Sequence, residues 1–352
     1  MAVFNHPDFD AHESVHFVQN AQAGLKAIIA VHSRARGPAC GGCRIWPYDT
    51  DALAITDALR LSSGMSYKSA MAGLDLGGGK CVVMKPDGPF DRAALFQALG
   101  REIQKLGGVY IAAADVGIQP GDLEAIKTQT NFIGGLPVDA GGSGDSSPVT
   151  ADGVYRGIRA AATARLGSPD LTGLTVALQG VGNVGMPLCA HLHAAGAKLI
   201  VTDINKDAVA KAVSDFGAQA VPLDEIYDVP ADIFSPCALG KSVNPDTLSR
   251  FTVKIIAGAA NNQLSTPDMG EALTVRGILY APDYVINAGG IINIASEFTD
   301  ADQAPWVNAK LDGLENTLSE IFETASQTGK APGAVADALA RMRIGAVDCE
   351  HA

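Results

Sequence analysis

The residues most suited to chemistry begin with a glycine pattern, Gly180-Val-Gly182-Asn-Val-Gly185. A bare G-x-G-x-x-G is often only a turn. Here the apolar run Thr175–Gln179 reads as a strand leading straight into it, and a helix is expected from Met186 to Ala195. A second strand over 197–202 ends in Asp203, an acid 18 residues beyond the last glycine. In that setting the glycines let a pyrophosphate approach the helix N-terminus, where unpaired N–H groups favour an anion. Asp203 would accept hydrogen bonds from an adenosine ribose and repel a 2′-phosphate, which selects NAD over NADP, although nearby Lys206 softens that preference.

A second segment carries two lysines twelve positions apart, Gly64-Met-Ser-Tyr-Lys68-Ser-Ala-Met-Ala-Gly-Leu-Asp-Leu-Gly77-Gly-Gly-Lys80. The plain alternative is two surface lysines flanking a turn. Against it, Lys80 runs into Cys81-Val-Val-Met84, so its backbone is expected to enter a core strand. A P-loop does not fit, because its first glycine would fall on Leu74 and Cys81 replaces the required Ser/Thr. Cys40-Gly-Gly-Cys43 has redox or zinc spacing, but no second Cys or His pair is placed to complete a site, and no metal is expected.

These segments need elements to hold them. Before residue 140, strands are expected over 25–32, 80–85 and 109–113, with helices over 50–63 and 90–106. Gly141-Gly-Ser-Gly-Asp-Ser-Ser-Pro148 is rich in turn formers and reads as a hinge. A helix over 150–164 follows. Short apolar runs then alternate with helical stretches (LTVALQG, AKLIVTD, ADIFSPC, VKIIAGAA, GILYAPDYVINAGG), the rhythm of a parallel, doubly wound sheet.

The 352 residues suffice for two domains, and the 47% hydrophobic, 18% charged composition is that of a globular chain. A net charge of −12 argues against nucleic acid. No apolar run is long enough to span a bilayer, and no export signal is visible at the start, so a cytoplasmic protein is expected.

Taken in order, several stretches resemble the glutamate/leucine/phenylalanine/valine dehydrogenase superfamily, with the leucine enzymes nearest. They are the two-lysine segment, Gly37-Pro-Ala-Cys-Gly-Gly-Cys-Arg-Ile-Trp46, Ala114-Asp115-Val-Gly117, Gly144-Asp-Ser-Ser-Pro-Val-Thr150 and the dinucleotide segment. Pro236-Cys-Ala-Leu-Gly240, Gly258-Ala-Ala-Asn-Asn-Gln-Leu264 and Ala281-Pro-Asp-Tyr-Val-Ile-Asn-Ala-Gly-Gly290 continue the likeness.

The resemblance implies two α/β domains flanking a cleft: a catalytic and oligomerisation domain over 1–140, and a Rossmann domain over 145–326. A tail over 327–352 would pack back on the first. It implies that Lys68 pairs with a substrate α-carboxylate, that Lys80 polarises the developing carbonyl and activates water, and that Asp115 moves a proton at the amine. Gly41, Gly42, Met65 and Asn262 would complete the substrate site, and Cys40, Ala113, Ile291 and Ile294 would line the side-chain pocket. Cofactor contacts would come from Gly180, Gly182, Asn183, Val184, Gly185, Asp203, Ile204, Arg44, Ser147, Thr150, Cys237, Ala238, Leu239 and Asn261. Ala114 and Ile118 depart from the leucine pattern, which usually has an acid and a threonine there.

The expected activity is NAD-dependent deamination of leucine, valine or isoleucine to the 2-oxo acid and ammonia by a homo-oligomer. A phenylalanine or tryptophan enzyme is the alternative, because Cys40 replaces a larger leucine. A catalytically silent NAD-binding regulator is a further alternative, but it would have no reason to keep Lys68, Lys80 and Asp115.

Overall fold

The computed structural model describes residues 3–348. Cys349 and the end of the expected tail lie outside them. The chain forms two compact units. One contains the residues up to Asp145, Asn293–Gln303 and the last helix from Ala340; the other contains Ser146–Ile292 and Ala304–Leu339. Asn293–Gln303, expected in the dinucleotide part, thus groups with the first unit, and the residues from 327 to Leu339, expected in the tail, group with the second.

In the first unit the elements are β1 (Ser14–Asn20), β2 (Leu25–Ser33), β3 (Ala39–Trp46), α1 (Asp51–Met71), β4 (Gly77–Met84), α2 (Arg92–Lys105), β5 (Tyr110–Ala114) and α3 (Pro120–Lys127). They build a five-stranded sheet in the order β1-β2-β4-β3-β5. The pairs β1/β2 and β2/β4 are antiparallel, while β3 lies parallel to both β4 and β5. Strand β2 shows why its side chains sort as they do. Leu25, Ala27, Ile29 and Val31 join the cluster holding Leu95, Phe96, Leu99 and Ile103 of α2. Ile28 and Ala30 join Ala54 and Ala58 of α1 on the other face. Period-two alternation thus feeds two hydrophobic layers.

Helix α1 begins where Thr50 caps it, its hydroxyl accepting from the Leu53 amide at 3.3 Å. It continues past the expected end at residue 63 to Met71, so Lys68 sits in its last turn rather than beside a loop. The reason is a row of small buried residues at every fourth position, Ala54, Ala58, Ser62, Ser66 and Ala70, which lets the helix lie close on the sheet. The glycine run 77–79, just ahead of the strand expected from residue 80, is the start of β4. A Cβ on Gly78 would stand 2.0 Å from the Ser66 amide nitrogen, so helix and strand meet backbone to backbone there.

The second unit holds α4 (Ser147–Leu166), β6 (Thr175–Gln179), α5 (Gly185–Ala194), β7 (Lys198–Thr202), α6 (Lys206–Phe216), β8 (Gln219–Ala220) and β9 (Ile233–Pro236). Then come α7 (Pro245–Leu248), β10 (Ile255–Ile256), α8 (Asp268–Val275), β11 (Leu279–Tyr280), α9 (Asp283–Ile286), α10 (Gly289–Ala295), α11 (Gln303–Thr328) and α12 (Pro332–Asp348), the last three running across the division between units. Its six-stranded sheet is parallel throughout, in the order β11-β10-β9-β6-β7-β8. The chain leaves β6 in one direction and later returns to pair β9 on its other side. That reversal opens a crevice at the carboxyl ends of the two central strands. Below it Phe234 and Phe251 pack with ring centroids 4.9 Å apart, each burial worth about 1.5–3 kcal/mol.

Candidate active site

In the first unit the three parallel strands carry the charged groups. Lys80, on β4, is buried, and its Nζ donates to Oδ2 of Asp115, just after β5, at 2.5 Å. Arg44, on β3, donates from Nε to the same Oδ2 at 3.0 Å and from Nη1 to Asp57 on α1 at 2.8 Å. Tyr48 gives its hydroxyl proton to that Asp57 oxygen at 2.6 Å. Burial alone would push the Asp115 carboxyl up. Lys80 and Arg44 outweigh it and hold the group below the usual carboxylate range. Burying such a pair is costly and adds little to stability, so its presence points to chemistry.

Two glycines of β3 make this approach feasible. A Cβ on Gly42 would sit 2.6 Å from the Asp115 Cβ, and one on Gly41 would overlap the Gly79 carbonyl oxygen at 1.7 Å. The Gly41 carbonyl in turn accepts from the buried Tyr110 hydroxyl at 2.6 Å. Lys68 and, one turn earlier on α1, Met65 are half-buried. Ser66, two residues before Lys68, lies against Gly78, two residues before Lys80.

The apolar residues expected around a substrate side chain fall partly here. Cys40 is fully buried on β3, and burial, then Glu297 and Cys43, pushes its thiol up to about 12, so it is a neutral wall. Ala113 is buried on β5, and Ile294 lies against Gly134 and Gly135. Ile291, one turn before Ile294 on α10, is buried and groups with the second unit.

Sequence reasoning missed Glu297. Its carboxylate accepts from the Gly135 amide at 3.0 Å and from the Ser143 amide and hydroxyl at 2.7 and 2.5 Å. It thereby pins the loop beside Ile294. Asp57 and Tyr48 were missed as well, since nothing in their spacing to Asp115 signals a shared partner.

The second unit builds its site mainly from backbone. Gly180 has a φ of +96°, and a Cβ there would meet the Ala238 nitrogen at 2.8 Å. A Cβ on Gly185 would strike the Gly180 carbonyl oxygen at 2.0 Å, so that glycine lets α5 pack onto the turn. Gly182 has no heavy atom within 4 Å of its would-be Cβ, which leaves open space above the loop. Asn183 is exposed and Val184 caps α5.

Asp203 closes the loop from below: Oδ2 accepts from the Val181 amide at 2.7 Å and Oδ1 from the Asn205 amide at 2.8 Å. It borders a recess walled by Ile204, Lys206, Val209, Val221, Pro222 and Leu223. Apolar walls with an acid at the rim suit an adenosine.

The other expected cofactor residues follow in a chain of contacts along the strand ends. The Cys237 amide donates to the Gln179 carbonyl at 2.7 Å, and Ala238 and Leu239 are exposed beyond it. Gly240 approaches the carbonyls of Asn261 and Asn262. The Asn287 amide donates to Asn261 Oδ1 at 2.7 Å, while its own buried Oδ1 has no partner. Gly289 packs on Val149 and Thr150 in the first turn of α4, where Ser147 is half-buried. An open glycine, a recess with an acid at its rim and an unpartnered amide oxygen together fit a dinucleotide. Arg44, expected at the cofactor, has its Nε and Nη1 on carboxylates of its own unit.

Comparison with known proteins is decisive on the family. Residues 12–132 match the Glu/Leu/Phe/Val dehydrogenase dimerisation domain, and 199–348 match the Glutamate/Leucine/Phenylalanine/Valine dehydrogenase domain. The chain belongs to this family. It is 48% identical to the leucine dehydrogenase of Bacillus cereus over 98% of this chain and 94% of that one. It is 44% identical to the valine dehydrogenase of Streptomyces coelicolor over 96% and 94%. Among solved structures, the L-tryptophan dehydrogenase of Nostoc punctiforme is 40% identical, with a TM-score of 0.86 over 96% of this chain and 97% of that one. The chain is thus an amino acid dehydrogenase with a nicotinamide cofactor site in its second unit. Among the described residues no helix is long and apolar enough to cross a membrane.

Proposed function

We propose that this enzyme oxidises an apolar L-amino acid, with leucine, valine and isoleucine first, to its 2-oxo acid and ammonia, using NAD, and that it runs in both directions. The observation that carries the reading is the buried Lys80 paired with Asp115 across a glycine-bearing strand, in a chain close to leucine and valine dehydrogenases.

Lys68 holds the substrate carboxylate, and Gly41, Gly42 and Met65 shape the floor around it. Asp115 takes a proton from the substrate ammonium at Oδ1, because Oδ2 is engaged by two cations. A neutral amine is needed before Cα can release hydride. NAD, when bound, supplies the hydride acceptor. Lys80 then orients and deprotonates the water that adds to the imine carbon, and it stabilises the oxygen as ammonia leaves. Gly180, Gly182, Asn183, Val184 and Gly185 hold the pyrophosphate, and Asp203 with Ile204 the adenosine. Ser147, Thr150, Cys237, Ala238, Leu239, Asn261 and Asn262 surround the nicotinamide end. Asp203 already accepts two backbone amides, and each oxygen keeps a lone pair for a ribose hydroxyl. A 2′-phosphate would be repelled there.

Cys40, Ala113 and Ile294 of the first unit form the side-chain pocket, and Ile291 stands one turn before Ile294 on α10. Glutamate is a poor substrate, because its second carboxylate would find no cation in this set and would meet Glu297, whose charge already acts on Cys40. The small Cys40 and the likeness to a tryptophan dehydrogenase support an aromatic substrate as the second reading. A cytoplasmic homo-oligomer, assembled through the first unit, belongs to the same proposal. The test is NADH formation from leucine, valine, isoleucine, phenylalanine, tryptophan and glutamate at equal concentrations, repeated with NADP. The highest kcat/KM is expected for a branched aliphatic substrate with NAD. A tenfold lead for phenylalanine or tryptophan would hand the pocket to the aromatic reading, and turnover of none would end the assignment.

A further inference from the structure

Five side chains form one line of alternating charge ending in a hydroxyl: Lys80 of β4, Asp115 just after β5, Arg44 of β3, Asp57 of α1, and Tyr48 in the segment after β3. We propose that Arg44 is a positioning residue that sets the proton-carrying state of Asp115, with Asp57 and Tyr48 as its counterweight. This rests on the reading that Asp115 moves a proton during turnover.

The argument starts from the shared oxygen. Lys80 Nζ and Arg44 Nε both donate to Asp115 Oδ2, at 2.5 and 3.0 Å. A lysine that works on water must change its protonation state during the cycle. If it were the sole counter-ion of Asp115, the carboxylate would lose its compensating charge whenever the lysine gave up a proton, and the pair would settle by sharing one. A guanidinium does not titrate in this range, so Arg44 keeps one positive charge on Asp115 at every stage. Oδ2 is thereby fixed as an acceptor, and Oδ1 is left to carry the proton.

Arg44 itself is held from behind. Its Nη1 donates to Asp57 Oδ2 at 2.8 Å, and the Tyr48 hydroxyl donates to that oxygen at 2.6 Å. Asp57 orients the guanidinium and cancels part of its charge, so it limits how strongly Arg44 stabilises the ionised Asp115. The charged groups facing Asp115 are Lys80 from β4 and Arg44 from β3, with Asp57 of α1 behind Arg44. This use of Arg44 replaces a cofactor contact, and the two roles predict different kinetics.

The test is the pH profile of kcat/KM for the best amino acid with NAD, in wild type, Arg44→Gln, Arg44→Lys and Asp57→Asn. Removing the cation makes any proton near Oδ2 bind more tightly, so Arg44→Gln is expected to move the acid limb to higher pH by about 1–3 units. Removing the carboxylate behind the cation does the reverse, so Asp57→Asn is expected to move the limb to lower pH by a smaller amount. Arg44→Lys keeps the charge and should return the limb most of the way. In all three variants the KM for NAD should stay within about twofold of wild type, the limit set for a residue that does not touch the cofactor.

Opposite shifts support the proposal, because lost packing cannot produce them. Limbs that stay in place or move together would overturn it, as would a raised KM for NAD with an unmoved limb in Arg44→Gln. Should Arg44→Gln not fold, Asp57→Asn still decides: a limb at or above the wild-type pH overturns the idea. A wild type that oxidises no amino acid would bring down the underlying reading and this inference with it. An active wild type with unmoved variants overturns the inference alone.

Discussion

In the first unit the groups placed for chemistry are side chains bearing whole charges, brought within hydrogen-bond distance on a sheet whose glycines remove what would otherwise stand between them. In the second unit they are mostly backbone: a strand-to-helix turn opened by Gly182, a helix start, and asparagines linked along the strand ends. The difference follows from the task. Breaking and making bonds needs groups whose protonation changes, and these must be desolvated and paired to be tuned. Holding a pyrophosphate needs only fixed dipoles that stay the same throughout the cycle. Glycine therefore serves opposite ends in the two places. In β3 it lets protein meet protein, and at position 182 it keeps protein away.

The largest test of this contrast is Lys80→Ala. It is expected to lower kcat by a factor of about 10²–10⁴, while NAD affinity, measured by calorimetry on the same variant, stays near wild type. Lost NAD affinity would show that the two sites are not separable. Next come two glycine substitutions. Gly41→Ala places a methyl on the Gly79 carbonyl oxygen and should cost about 3 kcal/mol or more, seen as a lower Tm or no folded protein. Gly182→Ala meets nothing within 4 Å, so its Tm should not change and its KM for NAD should rise severalfold. Equal Tm losses in the two variants would erase the distinction.

The last test concerns acid. Burial, with His12 beside it, holds the His32 imidazole down to about 4 from the usual 6.5. Its Nδ1 shares a 2.8 Å hydrogen bond with Ser66 of α1. Below pH 6.5 the unfolded chain binds the proton more readily than the folded one. Stability is therefore complete above that pH and falls as the pH drops toward 4, by roughly 3 kcal/mol for this group. Hydrogen exchange at pH 4.5 should show β2 and α1 losing protection before β6 and β7. His32→Gln should remove most of that pH dependence, and an unchanged dependence would place the acid sensitivity elsewhere.

Much of the second unit could be read in advance because its signals are local. The strand Thr175–Gln179 has the expected bounds, and its glycines, helix and terminal acid follow within 30 residues. The first unit was harder. Strand β3 was not visible as a strand, because Ala39-Cys-Gly-Gly-Cys-Arg-Ile-Trp46 lacks the β-branched, alternating pattern, and the run Gly77-Gly-Gly79 looks like a turn for the same reason. Both are strands because a neighbouring backbone or ring occupies the space a side chain would need. Helix α1 outran its apolar pattern because small residues, not large ones, make its contact with β4.

The amino-acid sequence by itself determined the chemical inventory: two lysines, an aspartate, a dinucleotide turn with its acid, and an apolar set free of charge. These are matters of residue type and short spacing, which a linear chain displays in full. Only the tertiary structure decided which charges share an oxygen. Arg44, Asp57, Lys80 and Asp115 are spread over more than 70 positions and meet because β3 lies between β4 and β5 with α1 across it. Electrostatic coupling depends on distance through space and on exclusion of water, and neither quantity exists until the sheet has formed.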